Sequence, residues 1–319
     1  MGAGPLTEPG LVVAGHGRHF LVEDRNGRRL ICHPRGKKSQ AVVGDRVQWL
    51  PSSDEGTIER VEERRNLFYR QDAVRSKSFA ANLDQILVLI AAEPEYSESQ
   101  LARALIAAEG QGIRALIGLN KSDLAAPFER AWARLEPYRR MGYPMLRLAL
   151  KPRPQAALAA QGPGAVDDSP AQLLAHMQDQ TTLVLGPSGS GKSTLINRMV
   201  PGAQVLTNDI SKSLNSGKHT TTSTTWYWID TARSSALIDS PGFQEFGLQH
   251  LDPMQLARLM PDFQPLVQNC KFYNCTHLHE PGCGLIAAMQ RSDEGPIAVS
   301  AARYRIYTEL FAELSRTRY

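Results

Sequence analysis

The sequence predicts a three-part chain: a small β-barrel, an α/β domain with a parallel, helix-covered sheet, and a mainly helical C-terminal part built around a metal. Three observations carry that prediction. Short strand-like runs separated by turn residues fill the first seventy residues, apolar strands alternate with helical stretches up to Asp239, and three of the four cysteines crowd between residues 270 and 283. Strand–helix alternation is the signature of βαβ units, and Cys so placed suggest a metal rather than a secreted disulfide scaffold.

The bulk composition is that of a folded soluble protein: 319 residues, 42% apolar and 21% charged, enough for two or three domains and not for default disorder. No run approaches the roughly eighteen apolar residues of a membrane helix, and residues 1–10 lack the basic and apolar parts of a secretory signal. A cytoplasmic protein with no membrane partner is expected. The net charge is +4, and residues 1–80 carry all of that excess, with 14 Lys and Arg against 10 Asp and Glu. Arg35-Gly-Lys-Lys38, Arg64-Arg65 and residues 70–77 are basic enough to meet nucleic-acid phosphates, although a solvated face is an equal alternative.

Residues 1–75 read as the barrel. Leu11-Val-Val-Ala14, Phe20-Leu-Val-Glu23, Arg29-Leu-Ile-Cys32, Val43-Gly-Asp-Arg-Val-Gln-Trp49 and Gly56-Thr-Ile-Glu-Arg-Val61 are five short strands with Gly, Asn and Asp between them, the pattern of an OB-like barrel and a frequent RNA-binding scaffold. A charged link then runs through Lys77. Residues 76–246 form the α/β domain, with strands at Asp84-Gln-Ile-Leu-Val-Leu-Ile-Ala-Ala92, Ala115-Leu-Ile-Gly-Leu-Asn120, Thr181-Thr-Leu-Val-Leu185 and Ala236-Leu-Ile-Asp239, while residues 151–170 read as a loop. Residues 247–319 read as helical around the cysteines, and Tyr304, Tyr307, Phe311 and Leu314 fall at helical spacing suited to packing.

The third of those strands feeds Gly186-Pro187-Ser188-Gly189-Ser190-Gly191-Lys192-Ser193-Thr194. The glycines let consecutive N–H groups turn toward phosphates, and the helix starting near Lys192 adds its positive end. Lys192 is placed for the β- and γ-phosphates and the Ser193 hydroxyl for Mg²⁺. Asp239-Ser-Pro-Gly242 ends the next strand, where Asp239 can hold the metal's water shell and the Gly242 N–H can sense the γ-phosphate. Between them lies Gly217-Lys-His-Thr-Thr-Thr-Ser-Thr-Thr225, too polar for a core element. Thr221, with Thr220 and Thr222 beside it, is the candidate to complete the Mg²⁺ shell in a nucleotide-ordered switch loop.

This loop alone does not say which base is bound, and ATP-binding cassettes and small-molecule kinases carry similar letters. No Leu-Ser-Gly-Gly-Gln-like signature is present, which argues against a cassette. Asn120-Lys121-Ser122-Asp123 ends its own strand. An Asp at the base edge accepts from guanine's N1–H and N2 amine together, whereas adenine offers neither donor and leaves the carboxylate unpaired, a mismatch worth about 10⁴-fold. Asn120 would steady the loop and face the purine's other edge, with the Lys121 stem on the ring. A kinase leaves these four residues unexplained.

In ordinary GTPases the P-loop comes first and Asn-Lys-x-Asp last; here Asn120 precedes Gly186. The sequence therefore resembles a circularly permuted GTPase, and the barrel and cysteine cluster narrow the resemblance to the small ribosomal subunit biogenesis GTPase (RsgA) family. It covers nearly the whole chain, from Val43-Gly-Asp-Arg-Val47 and Ala81-Asn-Leu-Asp-Gln85 through Asp239-Ser-Pro-Gly-Phe243 to the cysteines. The resemblance implies a GTPase that binds GTP and GDP, is stimulated by the small (30S) ribosomal subunit, contacts its rRNA and acts late in its maturation near the decoding centre, as a monomer. The Ser-Ala dipeptide that usually contacts the base in such GTPases is not evident after Asp123; Leu146-Arg-Leu-Ala-Leu150 occupies its place.

Cys270, Cys275, His277 and Cys283 form C-x4-C-x-H-x5-C. Three thiolates and one imidazole suit tetrahedral Zn²⁺, and four protein ligands leave no open position, so the site is expected to be structural. His279 is an alternative ligand, against which the family pattern favours His277; Cys32 stands apart in the barrel. Where many GTPases place a water-aligning glutamine, after the D-x-x-G motif, this chain has Phe243. Slow intrinsic turnover and activation by an outside partner are expected, with His219 as a candidate to approach the water or, equally, RNA. The competing reading is a GTP-dependent RNA-binding module with incidental hydrolysis.

Overall fold

The computed structural model of the chain describes residues 7–16, 19–36, 41–71, 76–151, 169–200, 202–203, 224–241, 246–290 and 299–316. Five strands open it: β1 (Glu8–His16), β2 (His19–Glu23), β3 (Arg29–Pro34), β4 (Arg46–Pro51) and β5 (Glu55–Val61). Strand β1 pairs with both β2 and β4, β2 with β3, β3 with β5 in parallel, and β5 with β4. The ring is thus closed and no edge remains, as in an OB-type barrel. Alternate residues point inward, so Val12, Phe20, Val22, Cys32, Val47, Trp49 and Ile58 make a separate core. Trp49 fills it so closely that a Cβ on Gly56 would lie 2.6 Å from its ring. Cys32 is wholly buried among these side chains, and burial pushes its thiol up to about 11, an inert packing group.

The expected charged link before the α/β domain is instead a hairpin, β6 (Leu67–Gln71) with β7 (Ser76–Ala81). Charge at Arg70 and Lys77 hides an alternation that turns Phe68 and Phe79 inward, where their rings meet Phe246 at 5.6 and 5.9 Å.

The α/β domain adds β8 (Gln85–Ala91), β9 (Arg114–Asn120), β10 (Met145–Arg147), β11 (Thr181–Leu185), β12 (Thr225–Trp228) and β13 (Ala236–Asp239), in the spatial order β10-β9-β8-β11-β13-β12. All neighbours are parallel except β12, which runs against β13. Helices α1 (Glu98–Gly110), α2 (Ala125–Arg134), α3 (Glu136–Arg140), α4 (Ser169–Met177) and α5 (Lys192–Met199) cover the sheet. Strand β8 is buried along its whole length, as a central parallel strand must be. Ile86, Val88 and Ile90 pack in the larger core with α1, while Leu87 and Leu89 pack in the other with Leu173, Leu195 and Ile196.

The C-terminal part is helical, with a 3₁₀ turn at Pro253–Leu259, α6 (Gln264–Val267), α7 (Gly284–Gln290) and α8 (Ala301–Leu314). Tyr307 and Phe311 of α8 are buried, and Tyr304 and Leu314 pack on the same core. Buried Arg303 makes two bonds to Asp262 at 2.9 and 3.0 Å. Arg103 of α1 ties α8 to the sheet domain, donating to Glu313 at 3.0 Å and to the Phe246 carbonyl at 3.2 Å. Among the described residues no helix is long and apolar enough to cross a membrane.

Candidate nucleotide site and metal centre

Strands β8 and β11 are neighbours, but the chain leaves β8 toward β9 and β11 toward β13. Such a reversal opens a crevice at the carboxyl ends of the strands, where open α/β sheets bind ligands. The loop 186–191 rises there, with Asn120 at the end of β9 and Asp239 at the end of β13.

Two glycines show why this loop has its composition. A Cβ on Gly186 would sit 2.1 Å from the Leu89 carbonyl, and Gly191, at φ +108°, would place one 2.3 Å from the Asn120 amide nitrogen. Gly191 is also the N-cap of α5 and leaves its first N–H groups without a side-chain cap, free to meet an anion. The Lys192 ammonium donates to the Gly186 and Pro187 carbonyls at 2.7 and 3.0 Å. Burial drives Lys192 down to about 8, against an opposing pull from Asp239. Asp239 is 1% exposed. The Ser190 hydroxyl is buried with no hydrogen-bond partner among the described residues, Ser188 is exposed, and Gly189, Ser193 and Thr194 are half-buried at the mouth. A glycine cradle, an uncapped helix start, a lysine and an orphaned hydroxyl fit a triphosphate, and Asp239 with Ser193 fits its Mg²⁺.

Asn120 joins the two motifs. Its side-chain amide is buried, donating to the Ser190 carbonyl at 2.9 Å and accepting from the Leu150 N–H at 3.0 Å. Lys121 sits in the left-handed region at φ +70° and donates to the Glu93 carbonyl, while Ser122 N–H reaches the Leu148 carbonyl at 2.9 Å and Asp123 stays exposed. Residues 148–150 therefore lie beside the Asn-Lys-x-Asp loop, and Arg198 of α5 fixes them by donating to the Ala149 and Leu150 carbonyls at 3.1 and 3.2 Å. Arg198 carries no motif signal; its place near the end of the P-loop helix Lys192–Met199 is the only trace of it in the sequence. His219, Thr221 and Gly242, with Thr220, Thr222 and Phe243, lie outside the described residues.

The second site is local. Cys270 Sγ and Cys283 Sγ are 4.0 Å apart, each lies 3.4 Å from His277 Nδ1, and the ligand atoms of Cys270, Cys275, His277 and Cys283 all fall within 4.8 Å of one another. Tetrahedral Zn²⁺ with its Zn–S bonds would set sulfurs about 3.7 Å apart, so the set fits that ion. His277 takes φ +60° to turn its ring inward, and His279 is exposed. Tyr304 and Tyr307 of α8 donate to the His277 and Thr276 carbonyls at 2.8 and 2.7 Å. Burial would raise the Glu280 carboxyl, but hydrogen bonds from Thr276 and His279 outweigh it and bring it down to about 2.

The family model described as RsgA GTPase matches residues 61–249. The chain belongs to the RsgA GTPase family. It is 65% identical over 314 residues to a protein of Variovorax paradoxus named small ribosomal subunit biogenesis GTPase RsgA, covering 98% of this chain and 95% of the relative. A protein of the same name in Paraburkholderia phytofirmans is 50% identical over 312 residues, with 96% and 93% covered. YjeQ of Thermotoga maritima superimposes with a TM-score of 0.71 at 25% identity, covering 98% of this chain and 100% of that one. YloQ, described as a circularly permuted GTPase, gives 0.67 at 24% identity, with 98% and 97% covered. The RsgA fold, a permuted GTPase sheet between a five-strand barrel and a helical part with a Cys₃His cluster, is thus the fold of this chain, and its activity is that of a GTPase.

Proposed function

We propose that this RsgA-family GTPase is an assembly factor of the small ribosomal subunit, in the cytoplasm and as a monomer, whose nucleotide state sets its affinity for ribosomal RNA. One observation carries the reading: Asn120 hydrogen-bonds to the P-loop at Ser190 across the sheet, so a guanine-reading loop and a triphosphate loop form one site although their order in the chain is reversed. The names of the relatives supply the small subunit, and the closed barrel supplies an RNA-binding scaffold.

Within that site the loop 186–191 and the start of α5 would wrap the phosphates, Lys192 would lie along the β- and γ-phosphates, and Asp123 would accept from guanine. Bound with GTP and held by Ser193, Thr221 and the shell around Asp239, Mg²⁺ would neutralise charge developing on the phosphates. Gly242 would donate to the γ-phosphate. Phe243 cannot polarise water, so the chain depends on its partner to order the segment carrying His219 and Thr221. The zinc set Cys270, Cys275, His277 and Cys283 would fix the C-terminal part without touching the nucleotide.

Multiple-turnover GTP hydrolysis with and without purified small subunits tests the reading. Turnover should rise steeply with subunits; an unchanged rate removes partner activation. A Lys192→Ala chain that still joined and left the subunit normally would favour the module with incidental hydrolysis.

A further inference from the structure

Strands β12 and β13 lie in the chain between the two phosphate-sensing motifs. The threonine-rich segment runs directly into Thr225, the first residue of β12, and β13 ends at Asp239. At the opposite end, the turn of residues 230–235 lies against the barrel. There Glu23, the last residue of β2 and only 4% exposed, accepts from Trp228 Nε1 of β12 at 2.8 Å, pairs with Arg29 of β3 at 2.6 Å and faces the Arg233 guanidinium at 3.6 Å. Arg233 is held in the left-handed region at φ +55°, a conformation a non-glycine residue keeps only when its surroundings impose it. Gly27, in the barrel turn between β2 and β3, makes room for it: a Cβ there would lie 1.9 Å from the Arg233 guanidinium. At the other end of β12, next to Asp239, a single pairing of Ala14 in β1 with Thr225 also ties the strand to the barrel.

A buried carboxylate between arginines adds little stability over an apolar contact but fixes orientation. Strand β12 is four residues long, so the joint at Trp228 and the end of the threonine-rich segment at Thr225 are about 10 Å apart along a stiff strand. We propose that Glu23 is a positioning residue that clasps the β12–β13 pair to the barrel, so that a partner seated on the barrel moves this pair and with it the two phosphate-sensing motifs at its far end. The inference rests on the reading that the small subunit stimulates hydrolysis, and it names the residue through which that stimulation passes.

The test is the full chain carrying Glu23→Gln, which keeps the shape of the side chain and removes its charge. Hydrolysis is measured against subunit concentration, and amide hydrogen exchange in β1 and β12 is compared between GDP and a non-hydrolysable GTP analogue. Intrinsic turnover and the subunit concentration for half-maximal effect should be unchanged, while the maximal stimulated rate falls about tenfold and the nucleotide-dependent exchange difference at Ala14 and Thr225 disappears. Trp228→Phe, which removes the Nε1 donor together with part of the ring, should give the same pattern more weakly and serves where Glu23→Gln does not fold. Full stimulation in both variants overturns the clasp and leaves partner activation standing. Absence of stimulation in the wild-type chain overturns partner activation instead, and the clasp then falls if the exchange difference persists in the variants.

Discussion

The nucleotide site and the metal centre are built in opposite ways. The proposed metal ligands come from fourteen consecutive residues that need little more than each other and the tyrosines of α8. The proposed nucleotide site gathers residues 120–123, 186–194 and 239 from the ends of three strands, which the sheet sets side by side. Two side chains, Asn120 and Arg198, fasten it internally. A local site is lost with its ligands, whereas an assembled site is lost with its brace, and each should fail without the other.

The largest effect should come from breaking the metal centre. Cys283→Ala removes one of four ligands from a site whose ion contributes on the order of 10 kcal/mol in small zinc modules. The C-terminal helices should lose zinc and protection from proteolysis, measured by metal content and limited digestion, while GTP affinity of the remaining sheet domain changes little. Loss of GTP binding in step with zinc would erase the distinction between the two regions.

Asn120→Ala is the complementary break. It strands the Ser190 carbonyl and the Leu150 N–H, each buried, at about 1–3 kcal/mol apiece. GTP affinity should fall by two or more orders of magnitude, read by nucleotide titration, with zinc content unchanged. Asn120→Asp keeps the acceptor for Leu150 and loses the donor to Ser190, so an intermediate loss apportions the two bonds.

A smaller effect concerns Lys192. Its depressed value of about 8 means that, between that pH and the lysine's ordinary value of about 10.4, the unfolded chain binds more protons than the folded one, so its contribution to stability rises with pH through this window. A bound triphosphate favours the ammonium. GTP binding above pH 8 should therefore take up a proton and weaken as pH rises, shown by calorimetry in buffers of differing ionisation enthalpy; Lys192→Arg should abolish the uptake.

Much of this was legible in the sequence where the signal is local. Barrel strands announce themselves by alternation and turn residues, the P-loop by glycines that a backbone carbonyl and an amide demand at positions 186 and 191, and the metal set by its spacing. The hairpin Leu67–Ala81 was not, because Arg70 and Lys77 mask the inward Phe68 and Phe79. Nor were Arg198, the placement of residues 148–150 against Asn120, or the meeting of Glu23 with Arg233, since each depends on contacts between distant segments that no spacing rule encodes.

Under the proposed function residues 120–123 and 186–194 form a single guanine-selective site despite their reversed order in the chain. Competition between GTP, ATP and xanthosine triphosphate for the wild-type chain and for Asp123→Asn tests it most directly. The wild type should prefer GTP over ATP by about 10⁴-fold, and Asp123→Asn should weaken GTP and shift preference toward xanthosine triphosphate. Nucleotide preference unaltered by Asp123→Asn would contradict it, leaving the P-loop to serve a nucleotide that this loop does not read.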